Sequence, residues 1–540
     1  MPDFAVVLGL LAAIALLAAV GRRASLPDPI VFALGGLALA LAPGVPRVAL
    51  PPSLVLVAFL APLIFAAAQD TSWAELRRDA RPILLLAVGL VLATMAAVAV
   101  VAHALVPTLS WAAAFTLGAI VAPPDAVAAK AIADTLHLPR RLVVILEGEG
   151  LVNDATALVA FQVASGVAIA GGAFALAPSA LRVAYAAAAG VAVGVAVGWL
   201  GRQALRRAGD PAVESTVTLL LPFGAFLPAE RLHASGVLAV VALALYLSRF
   251  GVLAAGAAGR LQGRVVWQML NFLLTGLSFV LVGLQLPAAV EGLSDRSGGL
   301  TAALLVCFTV ILVRPLWVFG TAWLSHSVRR VLEPDGADGA ATRPRAGVLA
   351  VVSWAGMRGV VSLALALSLP HTTADGRPFP GRGLIVFVTF GVVLVTLVGQ
   401  GLTLPALIGR LGVGATAGRA EVQELAAELR MARAALRRLD AVGGELRAAP
   451  DAVERVRGIY ADRIERLEGR QERRPTTSPP GDTAQARAAR LHDETRRLLA
   501  RLHEIEHAEL QVVRAGTDVD APAARRLQQR LDAIRVRDAH

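Results

Sequence analysis

One cysteine, one lysine and three tyrosines stand among 540 residues, and aromatic residues reach only 5%. The lone Cys307 lies in the apolar run LLVCFTV, which excludes an intrachain disulfide and a cysteine-built metal centre. Lys130 follows Ala129 and precedes Ala131, so the glycine-lysine step of a phosphate-cradling loop is missing, and with it an intrinsic ATP motor. Charge is also scarce, at 17%, and uneven: 46 of the first 410 positions are charged against 45 of the last 130. With 56% hydrophobic residues and a mean hydropathy of +0.65, the composition opposes a soluble enzyme. It describes a membrane domain over residues 1–410 followed by a polar tail.

What the first part has instead is a series of apolar runs, each near the roughly 20 residues that cross a bilayer. They cover 4–20, 29–45, 50–69, 82–106, 111–131, 142–166, 178–200, 213–229, 234–254, 266–287, 300–324, 346–370 and 383–408, which is thirteen. No basic region precedes the first run, so it reads as a span rather than a cleaved leader. Every second connection is basic, from Arg22 and Arg23 to Arg343 and Arg345, with 18 arginines and lysines in all. The alternate connections hold six: Arg47, Arg182, Arg231, Arg296, Arg377 and Arg382. That bias places the N-terminus outside and the tail in the cytoplasm. It also explains about half of the basic residues behind the net charge of +11, and no nucleic-acid partner or cofactor is expected. Thirteen spans permit two six-helix units of opposite topology around a linker helix, a plan common among transporters.

Few ionisable groups remain within the runs: Asp125, Glu149, Asp154, Arg314 and Arg358, with Glu214 and Glu230 nearer the ends. Unpaired, each costs at least about 2.5–3.5 kcal/mol at a bilayer centre, which makes them functional candidates. Asp154, Arg314 and Arg358 all fall near mid-span. In LEGEGLVNDATALVAF, residues 146–161, Gly150 and Asp154 share a helix face, and the glycine leaves room for an ion or water beside the carboxylate. Glu149 and Asn153 share the neighbouring face. Asp154 is therefore expected to bind a proton or cation while Arg314 neutralises Glu149; the competing reading is one charge-satisfied network that only holds helices together.

Pro123 and Pro124 cannot lie in an unbroken helix, because each removes a donor and clashes with the turn before it. The helix is expected to break there, freeing carbonyls beside Asp125. Two readings of Asp125 stand, as cap of the new helix start or as part of a cation site with the exposed backbone. In SWAGMRGVVSLALAL, Gly356, Arg358 and Gly359 mark a matching interruption, with Arg358 offsetting the carbonyl ends. Trp73, Trp111, Trp267, His103 and His233 read as interfacial, Glu230 as structural and Cys307 as packing.

The motifs GAIVAPPDAVAA, LEGEGLVNDATAL, FVLVGLQLP (279–287), LVRPLWVF (312–319) and SWAGMRGVVSLALAL together resemble the monovalent cation:proton antiporters. The resemblance is to the bacterial sodium/proton exchanger branch with a long C-terminal tail and covers about residues 1–410. It implies an all-α polytopic fold of thirteen transmembrane helices in two inverted repeats. These form a dimer domain and a core domain with two broken, crossing helices, and the whole implies a homodimer in the bacterial cytoplasmic membrane. Asp154 then corresponds to the ion- and proton-binding aspartate. Asn153 matches the asparagine of electroneutral members, Glu149 and Arg314 the buried ion pair, and Asp125 and Arg358 the charges at the breaks. Two departures stand out: Gly150 where many relatives have serine, and Ala66 where some archaeal relatives have glutamate. They leave Na⁺ to Asp154, backbone near Pro124 and Asp125, and water.

The expected mechanism is one-for-one, electroneutral exchange of Na⁺ and H⁺ competing at Asp154, because an ionised, empty carboxylate is costly to move through lipid. A K⁺/H⁺ antiporter of the same fold, a proton-coupled small-solute transporter, and a channel or scaffold are the alternatives. In the tail, Val422, Leu425, Leu429, Leu436 and Leu439 recur at helical spacing within 411–472. So do Leu491, Leu498, Leu502 and Ile505 within 483–540, after a Pro-rich linker at 473–482. Regulation or dimer contact and a merely solvated appendage are both open readings of it.

Overall fold

The computed structural model describes residues 2–24, 26–42, 56–69, 73–125, 128, 130, 138–170, 176–250, 257–291, 296–332, 346–412, 429–430, 432–442, 444 and 449–472. They are helical apart from turns, and among them the only β pairing is an isolated bridge between Thr372 and Pro378. The chain divides into Met1–Ala420 and Glu421–His540.

In the first unit the helices are α1 (Pro2–Ala24), α2 (Asp28–Leu41), α3 (Ala61–Gln69, preceded by a π turn at Leu56–Leu60) and α4 (Trp73–Arg78). Then come α5 (Ala80–Leu105, with a π segment at Leu85–Leu90), α6 (Trp111–Val121), α7 (Arg140–Ala170), α8 (Leu176–Ala208), α9 (Pro211–Arg231) and α10 (Gly236–Phe250). The unit closes with α11 (Ala257–Leu284), α12 (Leu286–Glu291), α13 (Arg296–Leu332), α14 (Ala346–Trp354), α15 (Val360–Leu367) and α16 (Arg382–Leu411, with a π segment at Thr396–Gln400). Helix lies within each of the thirteen apolar runs. Among the described residues, length and apolarity alone qualify seven helices as spans, including α5, α8, α9 and α16, and α2, Val57–Gln69, α6 and α10 are shorter apolar helices. Long α7 carries Glu147, Glu149 and Asp154, which are the charges that make it the candidate for function.

Small residues let these helices approach closely, which is how helices bind one another where lipid removes the hydrophobic drive. A Cβ on Gly36 of α2 would strike the carbonyl of Val280 on α11, and one on Gly283 of α11 would strike Ala33 and Leu37 of α2. Gly118 of α6 sits equally tightly on the backbone of Met95 in α5. Outward faces instead carry exposed large apolar side chains such as Leu181, Leu220, Phe308, Leu316 and Trp323, a surface suited to lipid.

One interfacial assignment is corrected. Trp267 is buried, donates its indole N–H to Thr218 Oγ1 at 3.3 Å and packs on Phe65 with ring centres 5.1 Å apart. His103 lies half-buried in the last turn of α5, with Nδ1 2.8 Å from the Leu109 carbonyl and its ring 4.3 Å from that of Trp111. Glu230 accepts from Gly236 N, a structural role. The side chain of Trp73 lies outside the described residues.

In the second unit, Pro450–Glu472 is helical, and Leu467 with Tyr460 and Ile464 packs on Leu429 and Ala432. Arg433–Glu468 and Arg457–Asp440 ion pairs, both at 2.6 Å, flank that seam. The linker 473–482, the region 483–540, and Val422 and Leu425 lie outside the described residues.

Candidate functional site

Helix α6 starts with Ser110, whose Oγ accepts from Ala113 N at 3.2 Å, and runs to Val121. Residues 122–125 are not helical. Pro123 and Pro124 have no N–H to offer the preceding turn, so the last carbonyls of α6 need other donors. They find Arg358, whose Nε donates to Val121 O at 3.1 Å and whose Nη2 donates to Ala122 O at 3.4 Å. Arg358 lies in the second non-helical stretch, 355–359, between α14 and α15. Its Nη1 donates to the Gly356 carbonyl, and its backbone N donates to Thr396 Oγ1 at 3.0 Å. A buried guanidinium is thus spent on carbonyl dipoles rather than on a carboxylate, neutralising two helix ends at once.

The two interrupted stretches touch. Asp125 N donates to Met357 O at 2.6 Å. Asp125 Oδ1 accepts from Ala128 N at 3.3 Å, an N-cap contact, so the capping reading has its hydrogen bond. A Cβ on Gly359 would collide with the Asp125 carboxylate, so glycine is required by the close approach. Gly359→Ala is accordingly expected to cost about 1–3 kcal/mol as an overpacked core change. Thermal unfolding in detergent checks this, with Gly409→Ala, where a Cβ meets nothing, as the reference that should not move.

Helix α7 crosses this junction. Asn153 Nδ2 donates to Pro124 O at 2.9 Å, while its Oδ1 is buried without a hydrogen-bond partner among the described residues. Four residues before it, Glu149 receives Arg314 Nη1 and Nη2 at 2.5 and 2.7 Å, a bidentate pair with both side chains almost wholly buried. Arg314 Nε continues to Val352 O at 2.9 Å, and a Cβ on Gly356 would lie 2.5 Å from Arg314 Cδ. Glu147, from the same motif, pairs with Lys130 at 3.1 Å.

Asp154 is different. It is half-buried, and among the described residues its carboxylate accepts no hydrogen bond and forms no ion pair. It lines a cavity of about 60 Å³ together with Gly150, Pro123, Pro124, Asp125 and Gly359. At about 10–15 Å³ for each water centre, that space holds a few waters or a partly hydrated ion. Phe59, Leu60 and Leu63 add apolar lining.

All eleven residues singled out from the sequence are therefore linked through one set of contacts and one cavity: Pro123, Pro124, Asp125, Glu149, Gly150, Asn153, Asp154, Arg314, Gly356, Arg358 and Gly359. Sequence reasoning missed four hydroxyl residues around them. Thr396 caps the Arg358 peptide, and Thr275, Ser278 and Ser362 line the cavity. Ala66, on α3, packs in the apolar core. Cys307 is buried packing. Among the described residues no cluster of three or more histidine, cysteine or acidic side chains could hold a metal.

Residues 9–409 match the family model for the sodium/hydrogen exchanger transmembrane domain. A protein of Mycobacterium tuberculosis named as an uncharacterized Na(+)/H(+) exchanger is 36% identical over 97% of this chain and 95% of its own. The sodium, potassium, lithium and rubidium/H(+) antiporter of Bacillus subtilis is 36% identical over 75% of this chain and 62% of its own. The solved sodium proton antiporter MjNhaP1 of Methanocaldococcus jannaschii shares the fold, with a TM-score of 0.57 at 19% identity over 76% of this chain and 99% of that one.

Proposed function

Because this chain belongs to the sodium/hydrogen exchanger family, multi-pass membrane antiporters rather than enzymes, we propose that it exchanges a monovalent cation for H⁺, one for one, at Asp154. The observation that carries this is the contrast between two carboxylates on α7. Glu149 is fully spent on Arg314, whereas Asp154 faces the cavity with no partner among the described residues. A carboxylate without a partner deep in a membrane protein is stable when its charge is cancelled, and either a proton or a cation does that. The two ligands then exclude each other, and the empty anionic form is the one that cannot cross.

The wider arrangement follows the same reading. Thirteen transmembrane helices form two inverted repeats, with a dimer domain and a moving core domain, in a homodimer of the bacterial cytoplasmic membrane. The arginine bias supports an external N-terminus and a cytoplasmic tail. Na⁺ is the cation the family supports best. The Bacillus subtilis relative's printed name, with four alkali cations in it, favours a second reading in which K⁺ and Li⁺ are also carried.

Proteoliposomes loaded with a pH-sensitive dye test both. Adding Na⁺ outside is expected to drive protons out at a rate that does not change when the membrane potential is clamped. Lowering pH by one unit, where protons dominate the site, is expected to raise the half-saturating Na⁺ concentration by up to about tenfold, the mass-action limit for one competing proton. A rate that follows the potential removes the 1:1 stoichiometry, and a half-saturation insensitive to pH removes competition. Repeating the titration with K⁺ and Li⁺ decides the cation range.

A further inference from the structure

Helix interiors of this protein show what their hydroxyl residues ordinarily do. Ser165, Ser215 and Ser353, like Thr116, Thr309, Thr321 and Thr403, each turn the hydroxyl back to the carbonyl four residues earlier. Four do not: Ser278 on α11, Ser362 in the first turn of α15, Thr94 on α5 and Thr389 on α16. All four side chains are buried, Ser278 and Ser362 at 2% and 1% exposure, and among the described residues their hydroxyl oxygens have no hydrogen-bond partner. Buried polar groups without partners are rare because nothing returns what they lost on leaving water, and each calls for a ligand or a solvent molecule.

Of these four, Ser278 and Ser362 line the same cavity. Ser278 and Ser362 border it with Asp154, from helices other than the one that carries the carboxylate, and Thr275, one turn before Ser278, borders it too. Gly150, which faces Asp154 across a turn, brings no side chain. One carboxylate supplies at most two oxygens, fewer than a small cation loses when it leaves water, so neutral oxygens must complete the shell. A hydroxyl suits this duty: its lone pairs can face a cation, and its proton can rotate to face a water or the carboxylate when the cation has left.

We propose that Ser278 and Ser362 are cation-selectivity residues, holding the cation at Asp154 through their hydroxyl oxygens, directly or through one water. This rests on the assignment of Asp154 as the exchange site. It adds two ligands from outside the motif that carries Asp154. Because the hydroxyls are fixed on two packed helices, the spacing between them sets which ion radius is held well.

The test is cation-driven proton exchange in proteoliposomes, with Na⁺, Li⁺ and K⁺ titrated separately on the full chain. Ser278→Ala and Ser362→Ala are each expected to raise the half-saturating Na⁺ concentration about fivefold to tenfold, the usual effect of one lost polar contact. The maximal rate should stay close to that of the parent, and the ratio of Na⁺ to K⁺ half-saturation should shift. Ser278→Thr and Ser362→Thr, which keep the hydroxyl, should restore most of the affinity. Unchanged half-saturation for all three cations in the alanine variants overturns the proposal. So does an equal fall in rate for every cation that threonine fails to reverse, since that is the signature of lost packing. A folded parent protein that exchanges no cation for protons overturns the Asp154 assignment itself. Exchange that needs Asp154 but ignores both serines leaves that assignment standing and removes only this inference.

Discussion

Asp154→Asn abolishes cation-driven proton exchange while leaving a folded protein, because the substitution removes charge and proton capacity and almost nothing else. Asparagine has the shape of aspartate, and the Asp154 carboxylate gives up no hydrogen bond or ion pair among the described residues. The cavity it borders is about 60 Å³, so the amide needs no new space. A neutral amide neither carries H⁺ nor draws in a cation, so the loaded state that permits crossing cannot form. If the lost attraction is about 3 kcal/mol, affinity falls at least about a hundredfold, and turnover falls below detection because both directions use the same group. Thermal unfolding of the variant should match that of the parent. The informative control is Asp125→Asn: its Oδ1 can still accept from Ala128 N, so the cap survives and some exchange should remain. Full exchange by the Asp154→Asn protein would take that residue out of the centre of the mechanism.

That ranking of carboxylates was partly visible in the sequence and partly not. Subtracting loop charges isolates Asp125, Glu149, Asp154, Arg314 and Arg358, because a charge inside lipid is costly enough to be retained only for a reason. Two adjacent prolines mark a helix break wherever they occur in an apolar run, and α6 ends at Val121, just before them. That Arg358 offsets carbonyl ends was legible; which ones was not. They are the carbonyls of Val121 and Ala122 as well as Gly356, with Thr396 on its backbone N–H, and carbonyls carry no residue-type signal. Ser278 and Ser362 were hidden for a related reason: a serine in an apolar helix usually satisfies itself, so its letter says nothing about whether it has. The interfacial reading of Trp267 failed because tryptophan at a span end and tryptophan in a helix seam have the same sequence neighbours, and only the Thr218 and Phe65 contacts separate them. Helix ends differed for the opposite reason. The run 300–324 extends to Arg296–Leu332, since helix continues past the apolar stretch through residues that favour water but not a break.

On the proposed reading, one carboxylate exchanges its ligands while four other charges keep theirs. Arg358 answers the carbonyls of Val121, Ala122 and Gly356, Asp125 Oδ1 accepts from Ala128 N, and Glu149 cancels Arg314. Each of these charges is answered at the junction itself, which leaves Asp154 as the group whose occupancy would set the coupling.

The Glu149–Arg314 pair should therefore be a stability element whose loss is large and whose joint removal is mild. Both side chains are about 1–2% exposed, the contact is bidentate at 2.5 and 2.7 Å, and Arg314 Nε also holds Val352 O on α14. Breaking such a pair from one side leaves a buried charge with no counter-ion, which costs about 3–5 kcal/mol. Glu149→Leu and Arg314→Met are each expected to lose that much, seen as a steep drop in thermal stability in detergent and in the yield of monodisperse protein. Replacing both together, as Glu149→Leu with Arg314→Met, removes the uncompensated charge. It should recover much of the loss, so the coupling energy between the sites in a double-mutant cycle should be at least as large as either single loss, about 3–5 kcal/mol. Recovered double-variant protein should still exchange cations for protons, because Asp154 is untouched, although the Val352 contact is gone and the rate should fall. Additive losses in the cycle would show that the two side chains stabilise the fold separately. Wholly lost exchange in a well-folded double variant would move Glu149 or Arg314 into the transport chemistry itself.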